Sequence, residues 1–205
     1  MYQPYAGLIL AAGASSRMGR PKALLPIGSD TFVSRMAATM TSGGAAQVVV
    51  VVAPATSREI REALGVGDTG VPATVVVNPR PEQGQLSSLL IGLDALERSD
   101  IAGVLVCPVD IPLFTAATVH AILAAARSTF APIVRPASHG RHGHPVLFGR
   151  RVFADLRQAD LAQGARSVVQ AHADEIVDVE VDDPGAFIDI DTPDDYRRWI
   201  ANLPA

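Results

Sequence analysis

Four short, mostly apolar runs constrain the fold of this chain more than any other feature. They occupy residues 7–10, 48–52, 73–77 and 104–106. Their apolar positions are consecutive rather than alternating, which is the pattern of strands that are covered on both faces. Segments with helical periodicity lie between them. The sequence therefore predicts an α/β fold of three layers around a mostly parallel, Rossmann-like sheet.

Capping residues predict where several helices begin. Thr31 or Asp30 can cap the first helix, and Thr56 opens a Thr-Ser-Arg-Glu sequence with the spacing of a capping box. Thr192 followed by Pro193 predicts the start of the last helix. Further helices are expected over residues 86–96, 115–127, 152–156 and 164–172.

Composition limits the class of protein. The length of 205 residues, with 48% hydrophobic and 19% charged side chains, suits one domain over residues 1–205. The net charge of −4 offers no overall attraction for nucleic acid or an anionic membrane. The single cysteine, Cys107, excludes an internal disulfide and is expected to be buried in a strand. The N-terminus lacks a signal-peptide pattern, and no apolar stretch approaches the ~20 residues of a membrane span, so we expect a cytoplasmic protein.

The loop after the first predicted strand carries the strongest chemical signal. Residues 10–22 read Leu-Ala-Ala-Gly-Ala-Ser-Ser-Arg-Met-Gly-Arg-Pro-Lys. The small residues let backbone N–H groups approach phosphate oxygens, while Arg17 and Lys22 can neutralise phosphate charge. The alternative interpretation is an ordinary strand-to-helix turn with basic residues on the surface. Such a turn would account for one glycine, but it accounts poorly for an arginine, a second glycine and a lysine in the same loop.

Two familiar phosphate-binding loops do not match these residues. A P-loop needs a second glycine five residues after its first, where this chain has Met18. The dinucleotide fingerprint Gly-x-Gly-x-x-Gly fails because Ser15 stands at its second glycine position. The loop therefore belongs to another class of phosphate-handling protein.

The loop resembles the nucleotidyltransferase signature Leu-Ala-Ala/Gly-Gly-x-Ser/Thr-x-Arg-Met-Gly-x-x-Lys. Over nearly its whole length the chain is similar to the molybdenum cofactor nucleotidylyltransferases of the MobA-like NTP transferase superfamily, and especially to their cytidylyltransferase branch. The resemblance implies a fold of the nucleotide-diphospho-sugar transferase type. The other segments that carry it are Asn78, 84–88, 109–112, 143–146, 164–166 and 189–193.

The same resemblance implies an NTP-binding part over about 1–112 and an acceptor-binding part over about 113–205. The residues it makes catalytic are Arg17, Lys22 and Asp110. The residues it implies for Mg²⁺ are Asp110 and Asp191, and those for the acceptor substrate are His144 and Arg166. The nucleotide-binding residues it implies are Leu10, Ala11, Ala12, Gly13, Ala14, Ser15, Ser16, Asn78, Gly84, Ser87 and Ser88.

The two metal-binding aspartates also have simpler interpretations. Asp110 follows a predicted strand, at the edge where open α/β sheets bind their ligands, and this position suits a magnesium ligand. An aspartate before Ile-Pro is also ordinary turn chemistry. Asp191 can instead complement the dipole of the last helix. Asp189 competes with Asp191 for the metal-binding role, and the motif favours Asp191.

Three histidines and one arginine near the expected acceptor site are ambiguous. A tract with His139, His142 and His144 could bind transition metals, but its spacing matches no metal site and its glycines favour a flexible substrate loop. His139 and His142 are therefore expected on the surface. Arg166 is either a solvated helix residue or an acceptor contact, and the acidic residue usual before it in the family is replaced by Ala162-Gln163.

The predicted reaction transfers a nucleoside monophosphate, preferably CMP from CTP, to the phosphate of molybdopterin and releases pyrophosphate. CTP is favoured because Ala12 stands where the guanylyltransferase branch has glycine, and its methyl limits the approach of a purine. We expect Lys22 to be exposed and to contribute little to stability.

Two alternatives to this reaction stay open. The acceptor could be a sugar phosphate or another phosphorylated alcohol. The chain could instead be a non-catalytic nucleotide- or cofactor-binding module that delivers its ligand. A molybdoenzyme or its chaperone is a further expected partner, whereas nucleic acid and membranes are not.

Overall fold

The computed structural model describes residues 3–65, 73–96 and 100–201. Ten strands are assigned within these ranges. They are β1 (Tyr5–Ala11), β2 (Pro26–Ile27), β3 (Asp30–Thr31), β4 (Val48–Val52), β5 (Ala73–Val77), β6 (Gly103–Pro108), β7 (Ile133–Ser138), β8 (Arg141–His142), β9 (Val146–Gly149) and β10 (Ile176–Glu180).

Seven α-helices are assigned in the same ranges, and none of them is long and apolar enough to cross a bilayer. They are α1 (Phe32–Ser42), α2 (Ser57–Ala63), α3 (Gln85–Leu96), α4 (Ala116–Thr129), α5 (Phe153–Gln158), α6 (Arg166–Ala171) and α7 (Pro193–Trp199).

The main sheet has eight strands in the order β10-β7-β9-β6-β1-β4-β5, with β8 paired to β7. β1 lies parallel to both β4 and β6, and β5 and β10 are parallel to their neighbours. β9 runs antiparallel to β6 and β7, as does the short β8 to β7. Helices cover both faces, so the predicted three-layer, mostly parallel α/β architecture is confirmed.

The five valines of β4 explain why this sheet needs two layers of helices. Val48, Val50 and Val52 pack into the core on the side of α1, α2 and α4. Val49 and Val51 pack into the core on the side of α3, α5 and α6. All five are almost fully buried, because side chains alternate between the two faces of a strand and both faces are covered. Cys107 in β6 is buried as predicted.

Two of the predicted helix caps are confirmed and one is wrong. The hydroxyl of Thr31, rather than the side chain of Asp30, accepts from a backbone N–H of α1, and Thr192 does the same for α7. Thr56 makes no such bond, because residues 54–56 form a 3₁₀ turn and its hydroxyl donates back to the carbonyl of Ala53. The helix start is therefore correct, but its capping box is not formed.

Two glycines let three loops stack at the carboxyl edge of the sheet. A Cβ on Gly143 would overlap the carbonyl oxygen of Ala186, and a Cβ on Gly185 would overlap the carbonyl oxygen of Leu113. The backbone of His144 donates to Ala186 at 2.8 Å. The loop after β6, the segment before β9 and the 3₁₀ turn at 184–187 thus lie in direct backbone contact.

Candidate active site

A first cavity, of about 300 Å³, opens where β1 and β6 end. Open α/β sheets bind their ligands at this edge. Its lining comes from the end of β1 and the loop after it, from the turn before α3 and the first residues of α3, and from the end of β6 and the residues after it. One further residue comes from the segment that precedes α7. The lining residues are Leu10, Ala12, Gly13, Ala14, Ser15, Ser16, Arg17, Lys22, Pro81, Gly84, Gln85, Ser88, Pro108, Val109, Asp110 and Asp191.

The loop after β1 folds back on itself so that Lys22 reaches the cavity. Ser15 and Gly19 flank a 3₁₀ turn and both have left-handed backbone angles, with φ of 48° and 67°. The hydroxyl of Ser15 accepts a hydrogen bond from the backbone N–H of Lys22 at 3.1 Å. The second glycine of the motif therefore supplies a backbone conformation that other residues rarely adopt.

Lys22 stands between two carboxylates. Its Nζ lies 2.5 Å from Asp191 Oδ1 and 3.4 Å from Asp110 Oδ2, and Arg17 Nη2 lies 3.1 Å from Asp191 Oδ2. The side chain of Lys22 is only 10% exposed, whereas that of Arg17 is 67% exposed. The expectation of an exposed Lys22 is therefore wrong: the lysine is held inside by the carboxylates that it joins.

Contacts of its own backbone and of α7 fix the position of Asp191. Its backbone N–H donates to Asp195 Oδ2 at 3.2 Å, within the cap of α7. In α7, Tyr196 stacks on Phe32 and donates from its hydroxyl to the carbonyl of Pro26 at 2.8 Å. The last helix is thus fixed against the segment that follows Lys22, although Lys22 and Asp191 are far apart in the sequence.

Two carboxylates, Asp191 in the site and Asp189 near it, have pKa values shifted in opposite directions. The hydrogen bond from Lys22, with its charge and that of Arg17, lowers the pKa of Asp191. Desolvation, and next the neighbouring charge of Asp110, raises the pKa of Asp189. Burial lowers the pKa of the His144 imidazole. Asp191 therefore remains the ionised partner of the two cations.

Most of the predicted nucleotide-binding residues line the first cavity, but three do not. Ala11 packs into the core beside α1. Asn78 is 1% exposed, and its amide donates to the hydroxyls of Ser87 and Ser88, each at 2.9 Å. Ser87 in turn donates to the carbonyl of Gly84 at 2.8 Å. These bonds shape the loop that carries Gly84 and Ser88; direct contact of Ala11, Asn78 or Ser87 with a nucleotide stays a prediction.

A second cavity, of about 930 Å³, adjoins the first and shares four lining residues with it: Leu10, Gly84, Gln85 and Pro108. Both predicted acceptor-binding residues, His144 and Arg166, line it. His142, expected at the surface, is exposed but also lines this cavity.

Three residues that line the two cavities were not predicted from the sequence: Pro81, Gln85 and Arg135. Gln85 lies inside the 84–88 motif and could have been found there, whereas Arg135 lies in a strand without any motif.

The donor set around the first cavity fits a hard divalent cation. Asp110 and Asp191 both line the cavity and both bind the ammonium group of Lys22, so their oxygens already face a common positive charge. Asp189 lines a different cavity. Among the described residues, no three His, Cys, Asp or Glu side chains are grouped to enclose a metal. Mg²⁺ is typically held by one or two carboxylates together with substrate phosphates and water, which matches this sparse arrangement.

A mostly parallel α/β sheet with a small-residue loop, a buried lysine and two carboxylates at its carboxyl edge is the arrangement expected of a nucleotidyltransferase. The chain belongs to the MobA-like NTP transferase family, because the model of that domain matches residues 7–176.

Similar proteins carry more than one name. The molybdenum cofactor guanylyltransferase of Xanthomonas euvesicatoria is 28% identical over all of this chain and 98% of that protein. The nicotine blue oxidoreductase of Paenarthrobacter nicotinovorans is 30% identical over 95% of each chain. The crystal structure of Rv0371c from Mycobacterium tuberculosis superposes with a TM-score of 0.81 at 25% identity and covers 98% of this chain and 99% of that one. The match with Rv0371c confirms the expected fold type over nearly the whole chain.

Proposed function

We propose that the chain transfers CMP from CTP to the phosphate of molybdopterin, with Mg²⁺ as cofactor and pyrophosphate as the second product. The observation that carries this proposal is the position of Lys22 between Asp110 and Asp191, inside a cavity lined by the small-residue loop. The name of the Xanthomonas relative supports molybdopterin as the acceptor class.

In this proposal the two cavities hold the two substrates. The first takes the triphosphate of the NTP and the second takes the acceptor, so residues of about 1–112 bind nucleotide and those of about 113–205 bind acceptor. Asp191 departs from this division, because it lies in the C-terminal part but lines the first cavity. Leu86, Leu89 and Val106 depart from it in the other direction, because they lie in the N-terminal part but line the second cavity. The residues shared by both cavities are where the reacting phosphates would meet.

The reaction needs positioning and charge neutralisation rather than an enzyme nucleophile. An oxygen of the acceptor phosphate attacks the α-phosphorus of the NTP in line. The bond from that phosphorus to the bridging oxygen breaks, and pyrophosphate leaves with the electron pair. Arg17 and Lys22 would bind the phosphate oxygens, while backbone N–H groups of 13–16 would orient them.

The metal would be bound by Asp110 and Asp191. When bound, Mg²⁺ neutralises phosphate charge and polarises the phosphorus–oxygen bonds. Lys22, which joins both carboxylates, keeps their oxygens aimed at the cavity. Its ammonium group would exchange part of these contacts for phosphate oxygens when the substrate arrives.

The preference for CTP rests on Ala12. This residue is 5% exposed and lines the first cavity, so its methyl group takes up space that a glycine would leave open. One methyl discriminates by only about 1–3 kcal/mol, so other residues of the pocket must contribute. The guanylyltransferase name of the Xanthomonas relative makes GTP the competing donor to test.

The deciding experiment incubates the protein with each NTP, Mg²⁺ and molybdopterin and measures the mass of the pterin product. We expect a mass increase of one CMP with CTP, accompanied by pyrophosphate release that EDTA abolishes. Pyrophosphate release with sugar phosphates but not with molybdopterin would assign the alternative acceptor class. NTP binding without release for any acceptor would favour a delivery module.

The other name among the relatives calls for a parallel assay. Redox conversion of nicotine blue is measured with the same protein preparation, because one relative is a nicotine blue oxidoreductase. Conversion of nicotine blue without nucleotidyl transfer to any acceptor would refute the proposed function.

A further inference from the structure

The second cavity has one distinctly apolar side. Leu86 and Leu89 of α3, Val106 of β6, Phe148 of β9 and Val169 of α6 all line it. These side chains belong to or pack against the core between the sheet and α3, α5 and α6. An apolar wall of this kind suits the flat face of a ring system better than the hydroxyl-rich surface of a sugar.

Arg135 is the charged residue that β7 contributes to this cavity. Its Nε lies 2.6 Å and its Nη2 3.4 Å from the two carboxylate oxygens of Asp178, its register partner on β10. Nη2 also lies 3.1 Å from His142 Nε2. The side chain of Arg135 is only 19% exposed. Its guanidinium is therefore held in one orientation before a ligand binds.

One side of that guanidinium remains available for a ligand. Nε and Nη2 are engaged, whereas Nη1 makes no hydrogen bond to any residue in the described ranges. Arg135 lines only the second cavity and is not among the residues shared with the first. Arg135 therefore lies outside the part of the lining that the two cavities share.

We propose that Arg135 binds and orients the acceptor, with Nη1 donating a hydrogen bond to a ring oxygen or nitrogen at the end remote from the reacting phosphate. Asp178 holds the guanidinium, and the apolar wall holds the face of the ring. The inference rests on the proposed function and deepens it, because it specifies the acceptor as a heterocycle with hydrogen-bond acceptors on its edge. Arg135 would thus make the site prefer such heterocycles to sugar phosphates as acceptors.

A purely structural role for Arg135 predicts a different result. The ion pair with Asp178 joins β7 to the edge strand β10, so its loss alone would lower the melting temperature and would affect both substrates equally or not at all. A role in orienting the acceptor affects acceptor affinity and leaves the affinity for CTP unchanged.

The test compares Arg135→Ala and Arg135→Lys with a matched control, Arg151→Ala. Arg151 also forms an ion pair, with Glu175 at 3.0 Å, but lines neither cavity. Binding of molybdopterin is titrated by its fluorescence without NTP, and KM values for molybdopterin and CTP are measured with Mg²⁺. Thermal unfolding is recorded for each variant.

For Arg135→Ala we expect the Kd and KM for molybdopterin to rise about tenfold, the scale of one charge-assisted hydrogen bond. Arg135→Lys keeps the charge but not the planar fork, so it should restore this loss only partly. The KM for CTP should stay within about twofold, and the control should match the wild type.

Several outcomes would overturn the role of Arg135. One is unchanged molybdopterin affinity in Arg135→Ala, and another is a parallel loss of affinity for CTP and molybdopterin. A wild type that binds molybdopterin but transfers nothing to it would refute the proposed function alone, because the titration would still decide the role of Arg135. A wild type that binds no molybdopterin would refute both.

Discussion

Replacing Lys22 by methionine removes the central positive charge of the site while it keeps the length of the side chain. Nζ lies 2.5 Å from Asp191 and 3.4 Å from Asp110. Breaking a fully buried ion pair costs about 3–5 kcal/mol, whereas an exposed pair contributes about 0–1 kcal/mol. Because the side chains of Asp110 and Asp191 are 28% and 35% exposed, we expect Lys22→Met to lower the free energy of unfolding by about 1–2 kcal/mol.

The expected loss of activity is larger than this loss of stability. A donor placed on the charge that develops in a transition state contributes about 2.7–4 kcal/mol, so turnover should fall about 10²- to 10³-fold. Urea unfolding measures stability, and pyrophosphate release at saturating CTP and acceptor measures turnover. Arg58→Met is the control, because Arg58 is 90% exposed and, in the part of the chain that the structure describes, forms its ion pair with Glu62 of α2. Arg58→Met should change the free energy of unfolding by no more than a few tenths of a kcal/mol and should leave turnover at the wild-type level.

One pattern of results would refute this reasoning. If Lys22→Met lost about 3 kcal/mol of stability or more but kept near-wild-type turnover, Lys22 would hold the two carboxylates for the fold and not for the reaction.

Three further outcomes are expected. Asp110→Asn should keep the fold, seen in its circular dichroism, but lose most turnover, and near-wild-type turnover at saturating Mg²⁺ would remove Asp110 from the mechanism. Equal CTP and GTP should yield more CMP than GMP product, and Ala12→Gly should narrow that ratio; equal or better incorporation of GMP by the wild type would defeat the preference. Hydrogen bonds to Glu175 and Asp155 raise the pKa of His172, so its stabilising contribution is full below its unfolded pKa and is lost as the pH rises through the higher folded pKa. Urea unfolding should therefore show a larger difference in unfolding free energy between wild type and His172→Gln at about pH 5.5 than at about pH 8.5. The change between the two pH values should be less than about 1 kcal/mol, because the side chain is partly exposed. Equal differences at both pH values would contradict this expectation.

Local patterns carried the prediction of the layers and of several helix starts. The buried valines of β4 and the caps at Thr31 and Thr192 depend on residues close in sequence, so the sequence alone could indicate them. The capping box at Thr56 failed because a 3₁₀ turn before the helix offers its hydroxyl a competing acceptor, the carbonyl of Ala53. The Thr-Ser-Arg-Glu pattern does not show that the Thr56 hydroxyl has this second possible partner.

The arrangement of the candidate site depends on contacts that cross the whole chain. The motif marked Lys22, Asp110 and Asp191 separately, but their convergence requires α7 to dock beside the segment after β1. The burial of Lys22 follows from that docking and has no local signal. Arg135 shows the same limit, since its partner on β10 becomes a neighbour only through the register of two strands.

The close packing of the loops at Gly143 and Gly185 limits which substitutions this sequence can tolerate during evolution. The nearest atoms that a Cβ would strike are backbone oxygens of Ala186 and Leu113. Those oxygens are present whatever side chains occupy positions 186 and 113, so no second substitution at either position can make room. Residues around the two glycines can therefore exchange while the backbone path is kept, but any side chain larger than a hydrogen atom at position 143 or 185 requires the neighbouring backbone to shift.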